Sequence, residues 1–155
     1  MDLSFTVTTT ALTAITMVLV ILSCSANEIT AIDYDAVCYG LAYAESLCDP
    51  DAVGDNGKAI GAYQIHPIYV KDVNRILGRQ EYTPQDRWSQ ALSKEMVLVY
   101  LKHYGTEKRI GLVTPEKLAM LHNRGCNHWQ PETKAHHQYL KRFREGMIAY
   151  AGGAR

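Results

Sequence analysis

Glu45 closes an apolar-periodic run, and three more carboxylates, Asp49, Asp51 and Asp55, follow it in a turn-rich segment. Tyr34, Val37, Cys38, Leu41, Glu45 and Cys48 recur at i, i+3, i+4 spacing, which sets Glu45 on the apolar face of a helix. Desolvation penalises the charged form of a carboxyl group held against apolar neighbours, so a glutamate in such a place keeps its proton above the ordinary value of about 4.3. A protonated glutamate is a general acid. Glycosidic cleavage needs one, because the leaving sugar oxygen must take up a proton. The same spacing also fits a glutamate at a helix end that reaches water or caps the next loop.

A cysteine nucleophile is the competing chemistry. Cys126 has His122 and His128 close in sequence, with His136 and His137 beyond. Such dyads form in space, so proximity along the chain carries little weight. There is no His-Glu-x-x-His and no Cys-x-x-Cys, and adjacent His136 and His137 diverge on a helix. No metal and no cofactor is therefore expected. The 155 residues carry 16 Lys+Arg against 16 Asp+Glu, a formal net charge of zero. That balance argues against nucleic acid as a partner, which calls for a basic surface. Hydrophobic content of 47% and charged content of 21% suit one globular domain with a real core.

The elements that must position these groups read as helices. The first runs from Asp33 to Leu47. Cys48 to Ile60 is a loop or short hairpin, marked by Asp-Pro, Gly-Asp and Asn-Gly. Gly61 lacks a side chain and so permits close approach of the backbone to the acid helix or to a sugar. Tyr63 and Gln64 offer a stacking face and an amide for hydroxyl and N-acetyl groups, or else serve as core and loop residues. Pro67 opens a helix to Leu77, stopped at Gly78. Tyr82-Thr83-Pro84 opens a central helix to Tyr104, with Trp88, Leu92, Met96, Val99 and His103 as its stripe. Thr114-Pro115-Glu116 starts a helix to His122 that delivers Asn123 to its end. Pro131 starts the last helix, with Tyr139, Leu140, Phe143, Met147 and Ile148 on its face. The expected fold is a mainly α single domain with a small loop or hairpin lobe.

Glu45-Ser46, Asp49-Pro50-x-Ala52 and Gly61-x-x-Gln64-Ile65 together resemble the signature of the soluble lytic transglycosylases of the lysozyme-like superfamily. Gly54-Asp55-x-Gly57 ahead of Gly61-Ala62-Tyr63-Gln64 resembles the goose-type lysozymes. Leu121-His122-Asn123-Arg124-Gly125 is similar to the second transglycosylase block, Ala-Tyr-Asn-x-Gly. The resemblance spans Tyr34 to Tyr139. It implies a lysozyme-like α+β fold with an active-site cleft beside the small lobe. It also implies cleavage of peptidoglycan between N-acetylmuramic acid and N-acetylglucosamine, with Glu45 as the acid. Ser46 would hold the cleft geometry, while Gln64 and Asn123 would contact substrate or support Glu45. A muramidase would need a second carboxylate for water, with Asp55 first in line. A lytic transglycosylase manages with one glutamate while the muramyl 6-hydroxyl attacks. Chitin is the alternative substrate. Ala62-Tyr63 and His122 depart from the family pattern, and they support a rival reading as a non-catalytic glycan-binding or structural protein that retains the fold.

Ala11 to Leu22 is apolar but short for a membrane span. Residues 1–26 read as a signal peptide or an N-terminal membrane anchor, and residues 27–155 as the lysozyme-like domain. Asp2 is unusual in an n-region, and Ile21-Leu22-Ser23-Cys24 resembles a lipoprotein box. The expected location is secreted or periplasmic, free or tethered, as a monomer. Without the leader Cys38, Cys48 and Cys126 remain. A helix would hold Cys38 and Cys48 about 15 Å apart. If the two blocks of the resemblance face each other, Cys48–Cys126 is a candidate disulfide, and three unpaired thiols is the alternative.

Overall fold

The computed structural model describes residues 31–154, so the expected leader, residues 1–26, lies outside the described residues. Six α-helices and one two-stranded antiparallel hairpin make up the described part, which is of the mainly α class. Among the described residues no helix is long and apolar enough to cross a membrane.

Helix α1 (Tyr34–Ser46) is bounded by local chemistry. Asp33 caps it, its Oδ1 accepting from the N–H groups of Asp35 (3.0 Å) and Ala36 (3.1 Å). Leu47 ends it in the left-handed region (φ 58°), and the Cys48 N–H bonds the Ala42 carbonyl at 3.0 Å. Val37, Cys38, Leu41 and Ala44 form its buried side. The segment from Cys48 turns into the hairpin β1 (Val53–Gly54) and β2 (Ala59–Ile60), joined by a 3-10 turn at Asp55–Gly57.

Helix α2 (Pro67–Leu77) stops on left-handed Gly78 as its sequence predicts. The expected single helix to Tyr104 is instead two pieces. A 3-10 turn at Pro84–Trp88 ends at extended Ser89, which caps α3 (Gln90–Tyr104) by accepting from the Leu92 N–H at 3.3 Å. Buried Arg87 causes the break, since its guanidinium is drawn toward the hairpin and not along a helix axis. The buried side of α3 is correspondingly Ser93, Met96, Val97, Tyr100, Leu101 and Tyr104, while Trp88 and His103 of the expected stripe are exposed. A short helix α4 (Glu107–Ile110) precedes α5 (Pro115–Arg124), which starts at its Thr114 cap but runs two residues past His122. The last helix, α6 (Lys134–Ala151), begins at Thr133 and not at Pro131. A capping box between Thr133 and His136 fixes that start.

Helices α1 and α6 form the most extensive helix pair, and Phe143 of α6 is fully buried against the α1 side of the core. Two glycines allow this approach. A Cβ on Gly146 would stand 2.6 Å from the Tyr43 Cβ and 2.9 Å from the Gly40 Cα. Overpacking of this kind typically costs about 1–3 kcal/mol, so Gly146→Ala is expected to lose that much stability, read as a lower urea midpoint with an unchanged denaturant slope.

The candidate Cys48–Cys126 disulfide is not formed, and Cys38, Cys48 and Cys126 are all free thiols. Cys48 borders Tyr39 on α1, whereas the Cys126 backbone N–H bonds the Tyr100 hydroxyl on α3 at 3.1 Å. Burial pushes the Cys38 thiol up to about 12, with full loss of solvent contact. Alkylation of the native protein at pH 8, read by mass spectrometry, is therefore expected to leave Cys38 unmodified and to label it only after unfolding.

Candidate functional site

A cleft of about 1150 Å³ opens between the end of α1, the hairpin, α2 and the end of α5. Glu45, Asp55, Gln64 and Asn123 all line it. The two sequence blocks that carry the resemblance, far apart along the chain, thus meet at one cavity.

Glu45 lies in the last turn of α1, and its side chain is 16% exposed. His122 faces it from α5, with Nε2 3.9 Å from the Glu45 Oε1 and a ring only 4% exposed. The same Nε2 lies 3.0 Å from the Tyr63 carbonyl. A carbonyl can only accept, so Nε2 carries a hydrogen, and Nδ1 stands 3.4 Å from the Tyr69 hydroxyl. Tyr69 stacks on Tyr100 with ring centroids 4.3 Å apart and meets His122 edge-on at 5.5 Å. These rings hold His122 in one orientation beside the acid. Tyr139 of α6 lies beside Glu45 in the core, behind the cleft lining. Its hydroxyl is buried with no hydrogen-bond partner among the described residues. Burial, and then the neighbouring Glu45 charge, push the Tyr139 phenol well above its ordinary range. It is a neutral donor within reach of the Glu45 carboxylate.

Asp55 stands on the rim, half exposed, with Oδ2 3.5 Å from the His66 Nε2. Its φ of 44°, with Asn56 at 53° and Gln64 at 48°, puts three non-glycine residues of this lobe in the left-handed region. Such strain persists only where the surroundings over-determine it. At Gln64 the cause is visible, because Nε2 donates to the Ala52 carbonyl (3.2 Å) and the Gly61 carbonyl (3.0 Å). Both amide hydrogens are therefore engaged with the base of the hairpin, and Gly54 leaves room for the amide oxygen. The side chain is a wall of the cleft that clamps the lobe, not the free donor expected for a sugar.

Two other expected binding residues play structural parts. Gly61, at φ +75°, lies against the Arg87 carbonyl so closely that a Cβ would collide with it. It approaches neither the acid helix nor the cleft. Tyr63 is buried in the core at 3% exposure, so its ring offers no stacking face, and only its carbonyl reaches the site, through His122. Ser46 ties α1 to the loop through its Oγ, which donates to the Ala62 carbonyl at 2.8 Å. Asn123 is exposed on the cleft wall in the last turn of α5.

Sequence reasoning did not find Tyr69 and His66 in the site or Tyr139 and Arg87 in its support, and it treated His122 as a departure from the family pattern and as a sequence neighbour of Cys126. Tyr139 was visible as one member of an apolar stripe, which is also the signal of any core residue. Comparison of the chain with protein-family models, curated proteins and solved structures finds no match.

Proposed function

We propose that the chain is an exported, lysozyme-like glycosidase or lytic transglycosylase acting on peptidoglycan, with Glu45 as general acid. The observation that supports this reading is the half-buried Glu45 carboxyl on the wall of a cleft shared with Asp55, Gln64 and Asn123. In the proposed step the Glu45 proton passes to the glycosidic oxygen as the bond from that oxygen to the anomeric carbon breaks. In a transglycosylase the Glu45 carboxylate left behind then accepts the proton of the muramyl 6-hydroxyl as that oxygen attacks the anomeric carbon; in a muramidase the nucleophile is water, whose proton passes to a second carboxylate. Asp55, on the rim and paired with His66, is the carboxylate available to orient water.

Mass spectrometry of the products released from peptidoglycan by the purified protein tests the reading. Anhydro-muropeptides identify a transglycosylase, and reducing-end muropeptides a hydrolase that employs Asp55. Release from chitin alone moves the substrate to that polymer. Wall binding without any product from several wall types sinks the catalytic reading in favour of a glycan-binding protein.

A further inference from the structure

The cleft is electrically divided. At one end stand Glu45 and Asp55, with no lysine or arginine among the lining residues there. Along α2 and just past its end, the lining includes Lys71, Arg75 and Arg79 against the single lining carboxylate of Asp72. In a chain with zero formal net charge this gathering of cations is not background. Lys71 and Arg75 are four apart on α2, so they share a face about one turn apart.

The cations are braced. Asp72 accepts from the Tyr104 hydroxyl at 2.8 Å and from Arg75 Nε and Nη2 at 2.8 and 2.6 Å, and Arg75 Nη2 also reaches the Tyr104 hydroxyl at 2.5 Å. Arg75 Nη1 has no protein partner among the described residues. Arg79 engages Glu81 through Nε at 2.6 Å and keeps both Nη groups unbonded. Lys71 enters no ion pair among the described residues. The segment carrying Arg79 is itself pinned by buried Asn74, which donates to the Gln80 Oε1 (3.1 Å) and the Tyr82 carbonyl (2.7 Å) and accepts from the N–H groups of Glu81 and Tyr82. The open Nη edge of Arg79, which can take a carboxylate as a fork, stands with the free Arg75 Nη1 and the Lys71 ammonium as donors suited to carboxylates.

Resting on the glycan-cleaving function above, we propose that this arm of the cleft is a carboxylate subsite for the peptide carried by the muramyl sugar. The substrate is then a peptide-bearing strand; chitin, whose sugars are neutral, has nothing to offer three cations, and a strand stripped of peptide offers only the single lactyl carboxylate of each muramyl sugar against the several carboxylates of the peptide.

The test compares the purified protein on peptide-bearing glycan strands and on the same strands stripped of peptide by an amidase. The wild type is expected to show kcat/KM at least about tenfold higher on the peptide-bearing strands, carried by KM, one such ratio being the worth of a single modest ion pair. The preference should shrink in high salt. In the triple variant Lys71→Gln, Arg75→Gln, Arg79→Gln the ratio is expected to fall toward one. Arg79→Lys, which keeps the charge and loses the open fork, should give an intermediate ratio with an unchanged circular dichroism spectrum. Equal rates on both strands in the wild type, or an undiminished ratio in the triple variant, overturn the subsite while leaving glycan cleavage intact. If neither strand is cut, co-sedimentation of the wild type with the two strands decides. Equal binding to both overturns the subsite, and selective binding to the peptide-bearing form upholds it after the catalytic reading has failed.

Discussion

Glu45→Gln is expected to lower the rate of muropeptide release by about a thousandfold or more, within the range that a positioned general acid contributes. Glutamine keeps the shape and the hydrogen-bonding reach of the side chain but has no acidic proton to give. The surroundings tolerate the exchange, because His122 Nε2 lies 3.0 Å from the Tyr63 carbonyl and at a longer 3.9 Å from Glu45. Tyr139, whose buried hydroxyl lacks a partner, can donate to an amide oxygen as well as to a carboxylate. The melting temperature should therefore stay close to that of the wild type, which separates loss of chemistry from loss of fold. Residual activity within tenfold of wild type would remove Glu45 from the proposed mechanism.

Arg87→Met is expected to be the most damaging single change to the small lobe. The Arg87 side chain is buried, and it makes no ion pair among the described residues. It bonds three carbonyls instead, Pro84 through Nε at 2.6 Å, and Lys58 and Ile65 through Nη1 at 2.8 Å each. Charge-assisted bonds of this kind contribute about 1.5–3 kcal/mol apiece, and relief of the buried charge offsets part of their loss. A net cost of about 3 kcal/mol, or roughly 10 °C in melting temperature, is expected. Lys58 lies beside the hairpin strand that ends at Ile60, and Ile65 follows Gln64, so the same change loosens the walls that carry Asp55 and Gln64. Activity should fall along with stability. Arg87→Lys should not rescue either property, since one ammonium cannot match a planar fork that meets three acceptors. A melt within 2 °C of wild type in Arg87→Met would show that the lobe is held by other contacts.

Elements whose limits rest on residues within a few positions of each other were legible in the chain itself. Asp33 at the head of α1, Pro67 and Gly78 at the ends of α2, and Thr114-Pro115 before α5 each act on the nearest turn of backbone, so they can be read without knowing the fold. The turn signals before Gly61 marked the hairpin for the same reason, and the i, i+3, i+4 pattern set Glu45 on the inner side of α1. Tertiary structure alone decided the rest. The break at Ser89 follows from carbonyls that Arg87 finds in a distant loop, and Gly61 is small because that same segment passes over it. Tyr63 carries the polar and aromatic character of a binding residue, yet packing consigned its ring to the core. The cysteines stayed apart because the turns after α1 and α5 set them against different neighbours, Cys48 beside Tyr39 and Cys126 at the Tyr100 hydroxyl. His122 and Tyr139 became the company of Glu45 only when α5 and α6 closed on α1, a distance-dependent fact that no local spacing encodes.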